Sequence, residues 1–248
     1  MKIVVIGGTG LIGSKLVQRL QSSGHQAFAA APNTGVNTLT GEGVDAALAG
    51  ADVVVDVANS PSFADDAVMD FFQRSGNRLL AAERKAGVRH HVALSVVGTE
   101  RLQQSGYFRA KQAQEQLVRA GGIPYTIVQS TQFFEFVDGI ARASGDGDVL
   151  HLSPAWVQPI SSDDVAAAMH DAALAPPVNG TVEIAGPERF QLDQLVGRFL
   201  RAQGDKREVM SDARAPYFGA VLEPGTLVPA GKARLGAVRF EHWLSARP

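Results

Sequence analysis

The stretch KIVVIGGTGLIGSKLVQRL, Lys2 to Leu20, decides the fold. KIVVIG is an unbroken apolar run rich in β-branched residues, the mark of a strand buried on both faces of a parallel sheet. Glycines at 7, 10 and 13 then turn the chain, and Leu11, Ile12, Leu16, Val17 and Leu20 recur at helical spacing until Gly24 stops the helix. A turn of this kind lets backbone approach a pyrophosphate, while the helix start supplies unpaired N–H donors and partial positive charge. Its expected role is to hold a dinucleotide through Gly7, Thr9, Gly10, Leu11, Ile12 and Gly13.

Outward from that turn the chain alternates. QAFAAA (26–31) reads as a short strand and VDAALAG (44–50) as a brief helix, with a polar, turn-rich loop between them. ADVVVDVAN (51–59) is another doubly buried strand, followed by a helix from about 63 to 86 that ends at Gly87 and a strand HHVALSVV (90–97). The helix carrying Tyr107 and Lys111 runs to Gly121, YTIVQS (125–130) is a strand, and QFFEFVDGIARAS (132–144) is helical. A capped helix SSDDVAAAMHDAAL (161–174), a strand GTVEIAG (180–186) and a helix FQLDQLVGRFLRAQG (190–204) follow. Strand–helix alternation predicts an α/β fold with a doubly wound parallel sheet. The rhythm weakens near 186, so a nucleotide-binding domain over 1–185 and a small C-terminal substrate lobe over 186–248 are expected, with 131–155 also lining the substrate cleft.

Composition narrows the function. The 248 residues are 45% hydrophobic and 19% charged, enough for one sizeable core, and the net charge of −2 offers no basic field for nucleic acid or an anionic membrane. The absence of cysteine excludes disulfides and thiolate chemistry. No apolar run approaches the roughly 20 residues of a membrane span, so a soluble, cytoplasmic protein is expected. The histidines show no metal-binding spacing, and adjacent His90 and His91 face opposite sides of a strand; no metal is assigned.

The residues that read a dinucleotide's ribose normally lie about 20 positions beyond the glycines. Ala30, Ala31, Pro32, Asn33 and Thr34 stand there, with no carboxylate to grip a 2′-hydroxyl or repel a 2′-phosphate. NADP(H) is therefore favoured over NAD(H). No Lys or Arg occurs between Arg19 and Arg74, however, so a 2′-phosphate would rest on Asn33, Thr34, Thr38 and loop N–H groups. Ala58, Asn59 and Ser60 end a strand and are expected near the ribose, although ANSP is equally a plain turn before Pro61. Thr131, after the next strand, is expected near the nicotinamide. Asp56, inside a buried strand, needs partners.

Tyr107 and Lys111, four apart, share a helix face; spacing alone favours an ordinary surface pair. With GGTGLIG at the start, SVVG closing a central strand and YFRAK twelve residues after Ser95, the chain resembles the short-chain dehydrogenase/reductase superfamily. It is most similar to the extended, atypical branch of NmrA-like NAD(P)H-binding proteins. GGIPYTIVQSTQFFEF and QPISSDDVAAAM resemble later segments of that branch. The resemblance implies a Rossmann fold and an NAD(P)H-dependent oxidoreductase reducing a carbonyl or quinone by hydride transfer. Ser95, Tyr107 and Lys111 fall on its catalytic set. In that set Tyr107 gives the proton, Lys111 lowers the phenol's pKa and holds ribose hydroxyls, and Ser95 orients the carbonyl oxygen. Many NmrA-like members lack the tyrosine and act as redox sensors, so an NAD(P)(H)-sensing regulator without turnover is the alternative. An epimerase or dehydratase is disfavoured by the small lobe. The loop after the second strand lacks the arginine often found in NADP-preferring relatives.

The expected substrate is a small apolar or aromatic carbonyl or quinone, walled by Phe133, Phe134 and Trp156, with Phe136, Tyr217, Phe218 and Trp243 as further aromatics. Aromatics at such spacing are more often core. Ser161, Ser162, Asp163 and Asp164 read as helix caps. A homodimer is left open.

Overall fold

The computed structural model describes residues 1–246; Arg247 and Pro248, the end of the lobe expected over 186–248, lie outside the described residues. The elements, in chain order, are β1 (Lys2–Ile6), α1 (Leu11–Ser22), β2 (Gln26–Ala30), α2 (Val44–Leu48), β3 (Val53–Asp56), α3 (Asp65–Ala86), β4 (His90–Val96), α4 (Gly106–Ala120) and β5 (Tyr125–Ser130). They continue as α5 (Val137–Ala143), β6 (Val149–Leu152), β7 (Trp156–Val157), α6 (Ser162–Leu174), β8 (Gly180–Ala185), β9 (Phe190–Gln191) and α7 (Leu192–Ala202). β10 (Glu208–Ser211), β11 (Pro216–Tyr217), β12 (Ala220–Val221), β13 (Arg234–Leu235) and α8 (Phe240–Ser245) complete the chain.

Seven strands form one sheet in the order β2-β1-β3-β4-β5-β8-β13, and every neighbouring pair is parallel. The alternation of side chains along β1 explains the two layers around it. Ile3 and Val5 enter a core with Leu16 and Leu20 of α1 and Val165 and Met169 of α6. Val4 and Ile6 enter another with Val44 and Leu48 of α2 and Leu79 of α3. Both faces are therefore dry, which is why β1 and β3 read as apolar runs without a polar face. Each such Val or Ile contributes roughly 1.5–3 kcal/mol of burial.

β1 has β2 on one side and β3 on the other. At that reversal the connections leave towards opposite faces, opening a crevice outside the carboxyl ends of β1 and β3. The lobe beside the sheet is not the contiguous 186–248 unit expected. Segment 131–160 supplies α5, β6 and β7, with β6 pairing β10 and β7 pairing β9, while Arg234–Leu235 returns to the large sheet beside β8. A common apolar core explains this, joining Phe134, Leu150, Leu152, Leu195, Phe199, Tyr217 and Phe240 from both segments. Among the described residues no helix is long and apolar enough to cross a membrane, and no three His, Cys, Asp or Glu gather as metal ligands.

Candidate active site

The glycine turn closes on the end of β3. Gly7 adopts φ +77°, and a Cβ there would lie 2.8 Å from the Cα and N of Ala58. A Cβ on Gly13 would lie 2.2 Å from the Gly7 carbonyl oxygen, so the turn tolerates no side chain at either position. Gly8 is a further tight position, its hypothetical Cβ 2.5 Å from the Ala29 Cα; the doublet Gly7-Gly8 was its signal. α1 starts at Gly10 with no side-chain cap and no acid in its first turn, leaving N–H donors and positive potential at the crevice. This cradle, which a Cβ would fill, fits a dinucleotide pyrophosphate.

The other cofactor candidates divide. Thr9 Oγ1 donates to Asn33 Oδ1 at 3.0 Å, tying the turn to the exposed loop after β2. Thr34 Oγ1 accepts from the Ala31 N–H at 2.9 Å and so closes its own turn. Ser60 Oγ donates to the Ser62 carbonyl at 2.7 Å, and its hydroxyl shapes the turn before α3. Thr131, 1% exposed, donates its hydroxyl to the Gln158 carbonyl at 2.6 Å and its N–H to the Ile184 carbonyl at 3.1 Å. Both of its donors are spent inside the fold, so a contact of Thr131 with the nicotinamide would not use them.

Tyr107 sits in the first turn of α4, its ring against Phe63, Phe72 and Phe108 at centroid distances of 5.6, 6.5 and 5.7 Å. Its hydroxyl feels the Asn59 side chain, just past β3. The phenol therefore stands at the crevice. Burial pushes its pKa up to about 12, with Asn59 pulling the other way, so it is a protonated donor throughout the physiological range.

Lys111 and Ser95 lie elsewhere. The Lys111 ammonium donates to the Leu94 carbonyl at 2.8 Å and to Gln114 Oε1, and sits 4.5 Å from the centre of the Phe72 ring. Burial lowers its pKa to about 8, against the pull of Asp56 and Glu115. Gln114 in turn donates to Asp56 Oδ2 at 2.9 Å, and Asp56 Oδ1 accepts the Ala58 N–H at 3.0 Å. Lys111, Gln114 and Asp56 thus form a buried chain that fixes the end of β3, which supplies Asp56 with the partners its burial demands.

Ser95 Oγ donates to Glu115 Oε1 at 2.5 Å, and Glu115 also accepts from Gln129 Nε2 at 2.8 Å and Arg119 Nη2 at 3.0 Å. Its hydroxyl is bound into the layer between sheet and α4, not presented to a substrate carbonyl. The orienting role expected of Ser95 requires this hydroxyl to leave Glu115. The partners responsible, Gln114 and Glu115, carry no motif and were missed.

Among the aromatics, Phe134 is 1% exposed and packs on Phe240 and Trp243 at 5.3 Å each. It belongs to the lobe's core and is no pocket wall. Phe133 stacks on the half-exposed Phe136 at 5.2 Å. Trp156 is 45% exposed on the β7–β9 ribbon. Tyr217, by contrast, is buried in the cluster against which Tyr107 packs, and burial lifts its pKa well above the usual phenol value, with the Tyr107 phenol adding to the shift.

Known proteins bear on this geometry. Residues 7–176 match a family model described as NAD(P)H-binding. The chain is 30% identical over 259 aligned residues to a (4-alkanoyl-5-oxo-2,5-dihydrofuran-3-yl)methyl phosphate reductase of Streptomyces griseus subsp. griseus, spanning 95% of this chain and 88% of that protein. Among solved structures it resembles the Citrobacter sp. triphenylmethane reductase complexed with NADP(H), at TM-score 0.68 and 18% identity, over 93% of each chain. It also resembles the NADPH-dependent quinone oxidoreductase QOR2 of Escherichia coli complexed with NADPH, at TM-score 0.66 and 18% identity, over 86% of this chain and 79% of that one. With a matched segment that begins at the glycine turn and runs through the sheet to α6, the chain belongs to the NAD(P)H-binding family.

Proposed function

We propose that this protein is an NAD(P)H-dependent reductase of a carbonyl, quinone or conjugated oxo compound, with Tyr107 as the proton donor. One observation supports the reading: the Asn59 side chain, next to the Ala58 on which Gly7 closes, acts on the Tyr107 hydroxyl beside the glycine cradle. A bound nicotinamide would supply a hydride to the electrophilic carbon of the substrate. The carbonyl electron pair then moves to oxygen, and Tyr107 delivers its proton there, giving the hydroxyl product. With its pKa raised to about 12, the partly buried phenol loses no donor capacity to ionisation. Lys111, Gln114 and Asp56 act at one remove, holding the Ala58–Asn59 backbone on which both cradle and phenol rest. The Streptomyces relative, whose name describes an unsaturated oxo ring, supports an oxo substrate class. NADPH is preferred to NADH in this reading, since residues 30–34 offer no carboxylate to exclude a 2′-phosphate.

The test is direct. Incubation with NADPH and a panel of ketones, aldehydes and quinones should consume cofactor with at least one of them; tight cofactor binding without oxidation on any would overturn the reductase reading. On the accepted substrate, Tyr107→Phe should lower kcat about 10²–10⁴-fold while the Kd for NADPH moves by less than about threefold. Unchanged turnover would remove Tyr107 from the chemistry.

A further inference from the structure

The loop after β5 carries a buried amide that the fold leaves without partners. Gln132 Oε1 and Nε2 are both enclosed, and neither has a hydrogen-bond partner among the described residues. The backbone around them is fixed: the Gln132 carbonyl accepts the Ile160 N–H at 2.9 Å, and the Thr131 N–H is held by the Ile184 carbonyl at 3.1 Å. An enclosed amide without partners costs about 1–3 kcal/mol, and neither sheet nor lobe offsets that cost locally. A polar group kept in this state is of use when something brought from outside completes it.

Its neighbours indicate what that is. Tyr217, 7% exposed, is carried in by the β11–β12 ribbon and shares an apolar cluster with Tyr107 packed against it. Its hydroxyl interacts with the Gln132 amide and with the Tyr107 phenol, yet neither Gln132 atom reaches hydrogen-bond geometry. Four polar side chains thus follow one another, from Asn59 at the cofactor crevice through Tyr107 and Tyr217 to Gln132 at the foot of the lobe. A lone ketone would use only Tyr107, leaving Gln132 as unsatisfied as before. A second oxygen on the same molecule, further from the cofactor, would meet the Tyr217 hydroxyl and the Gln132 amide together.

We infer that Gln132 and Tyr217 form a second oxygen-binding point, so that the substrate is an oxo compound with two oxygen functions, such as a quinone, a dicarbonyl or a hydroxyketone. This rests on the reductase reading above but is tested apart from it, with 1,4-naphthoquinone and the one-oxygen ketone 1-tetralone as probes. The first readout is the ratio of kcat/KM for the two with NADPH. The second is the ratio of their Kd values for the NADP⁺-loaded protein, which requires no turnover.

The wild-type protein should prefer the quinone in both ratios. Gln132→Leu and Tyr217→Phe should each reduce that preference about tenfold, the loss of one or two neutral hydrogen bonds, with the thermal midpoint and NADPH affinity checked for intact folding. If no NADPH is consumed with either probe, the binding ratio alone decides the inference, and the reductase reading is judged on the wider panel. Equal binding of the two probes, binding of neither, or a preference that survives both substitutions would each overturn the inference.

Discussion

Glu115 receives three hydrogen bonds, from Ser95, Gln129 and Arg119, and is 1% exposed. Ser95→Ala removes one of them and leaves the others, so it should lower stability by about 1 kcal/mol in denaturant unfolding. Because the hydroxyl does not reach the crevice, kcat on any accepted carbonyl should stay within about threefold; a hundredfold loss would restore Ser95 as the orienter. The spacing and the hydrogen bonding of Ser95 point different ways for a plain cause. Ser95 has the right residue type at the right distance from Tyr107, but which way its side chain points is decided by Glu115, twenty positions on in α4. Lys111 is a similar case, drawn to Gln114 and the Leu94 carbonyl. Tyr107 stands at the start of α4, packed on Phe63, Phe72 and Phe108, and its part in the chemistry is the proposal that Tyr107→Phe tests.

At the scale of elements, the strand–turn–helix at the N-terminus was readable from composition alone, since doubly buried strands must be apolar throughout and the turn admits only glycine where backbone meets backbone. The lobe was not. Its strands have two to four residues, and β6 pairs with β10 across more than fifty residues of intervening chain; four residues are too few for a period-two signal to stand out. One of its turns carries an identifiable strain. The β11–β12 hairpin closes through Phe218 at φ +46° and Gly219 at φ +84°, a two-residue loop with both central residues left-handed, a geometry that favours Asn-Gly. A bulky side chain in that region costs roughly 1–2 kcal/mol. Phe218 recovers only part of this from its edge-on contact with Tyr217 at 4.8 Å, since it remains 48% exposed. Phe218→Asn should therefore raise stability by about 1 kcal/mol, about 2–4 °C in thermal midpoint for a chain of this size. A fall in midpoint would mean that the ring packing outweighs the backbone strain.

The stability of the whole molecule between pH 4 and 8 turns on two adjacent histidines that the strand period sends to opposite faces of β4. His90, 4% exposed and 2.9 Å from Thr126 Oγ1, has its pKa lowered to about 4, chiefly by burial and then by the charge of His91. The unfolded chain binds a proton there near pH 6.5, so from pH 4 to about 6.5 unfolding takes up protons and stability rises with pH. His91 works in the opposite sense. Burial opposes its charge, but Glu83, at 2.9 Å and 0% exposed, outweighs that by charge and hydrogen bond, with Asp56 adding, and its pKa is raised. Between the unfolded value near 6.5 and that higher folded value the native state holds the extra proton, so this stabilisation is complete below about pH 6.5 and is lost as pH climbs. The two limbs predict a maximum near pH 6.5, measurable as the urea midpoint at a series of pH values. His91→Gln removes the cation that compensates buried Glu83. It should cost about 3 kcal/mol below the maximum, the penalty for breaking a buried pair, and should flatten the alkaline limb while keeping the larger, burial-driven part of the rise from pH 4. An alkaline limb that survives the substitution would place its origin in another group and leave the His91–Glu83 pair with no part in it.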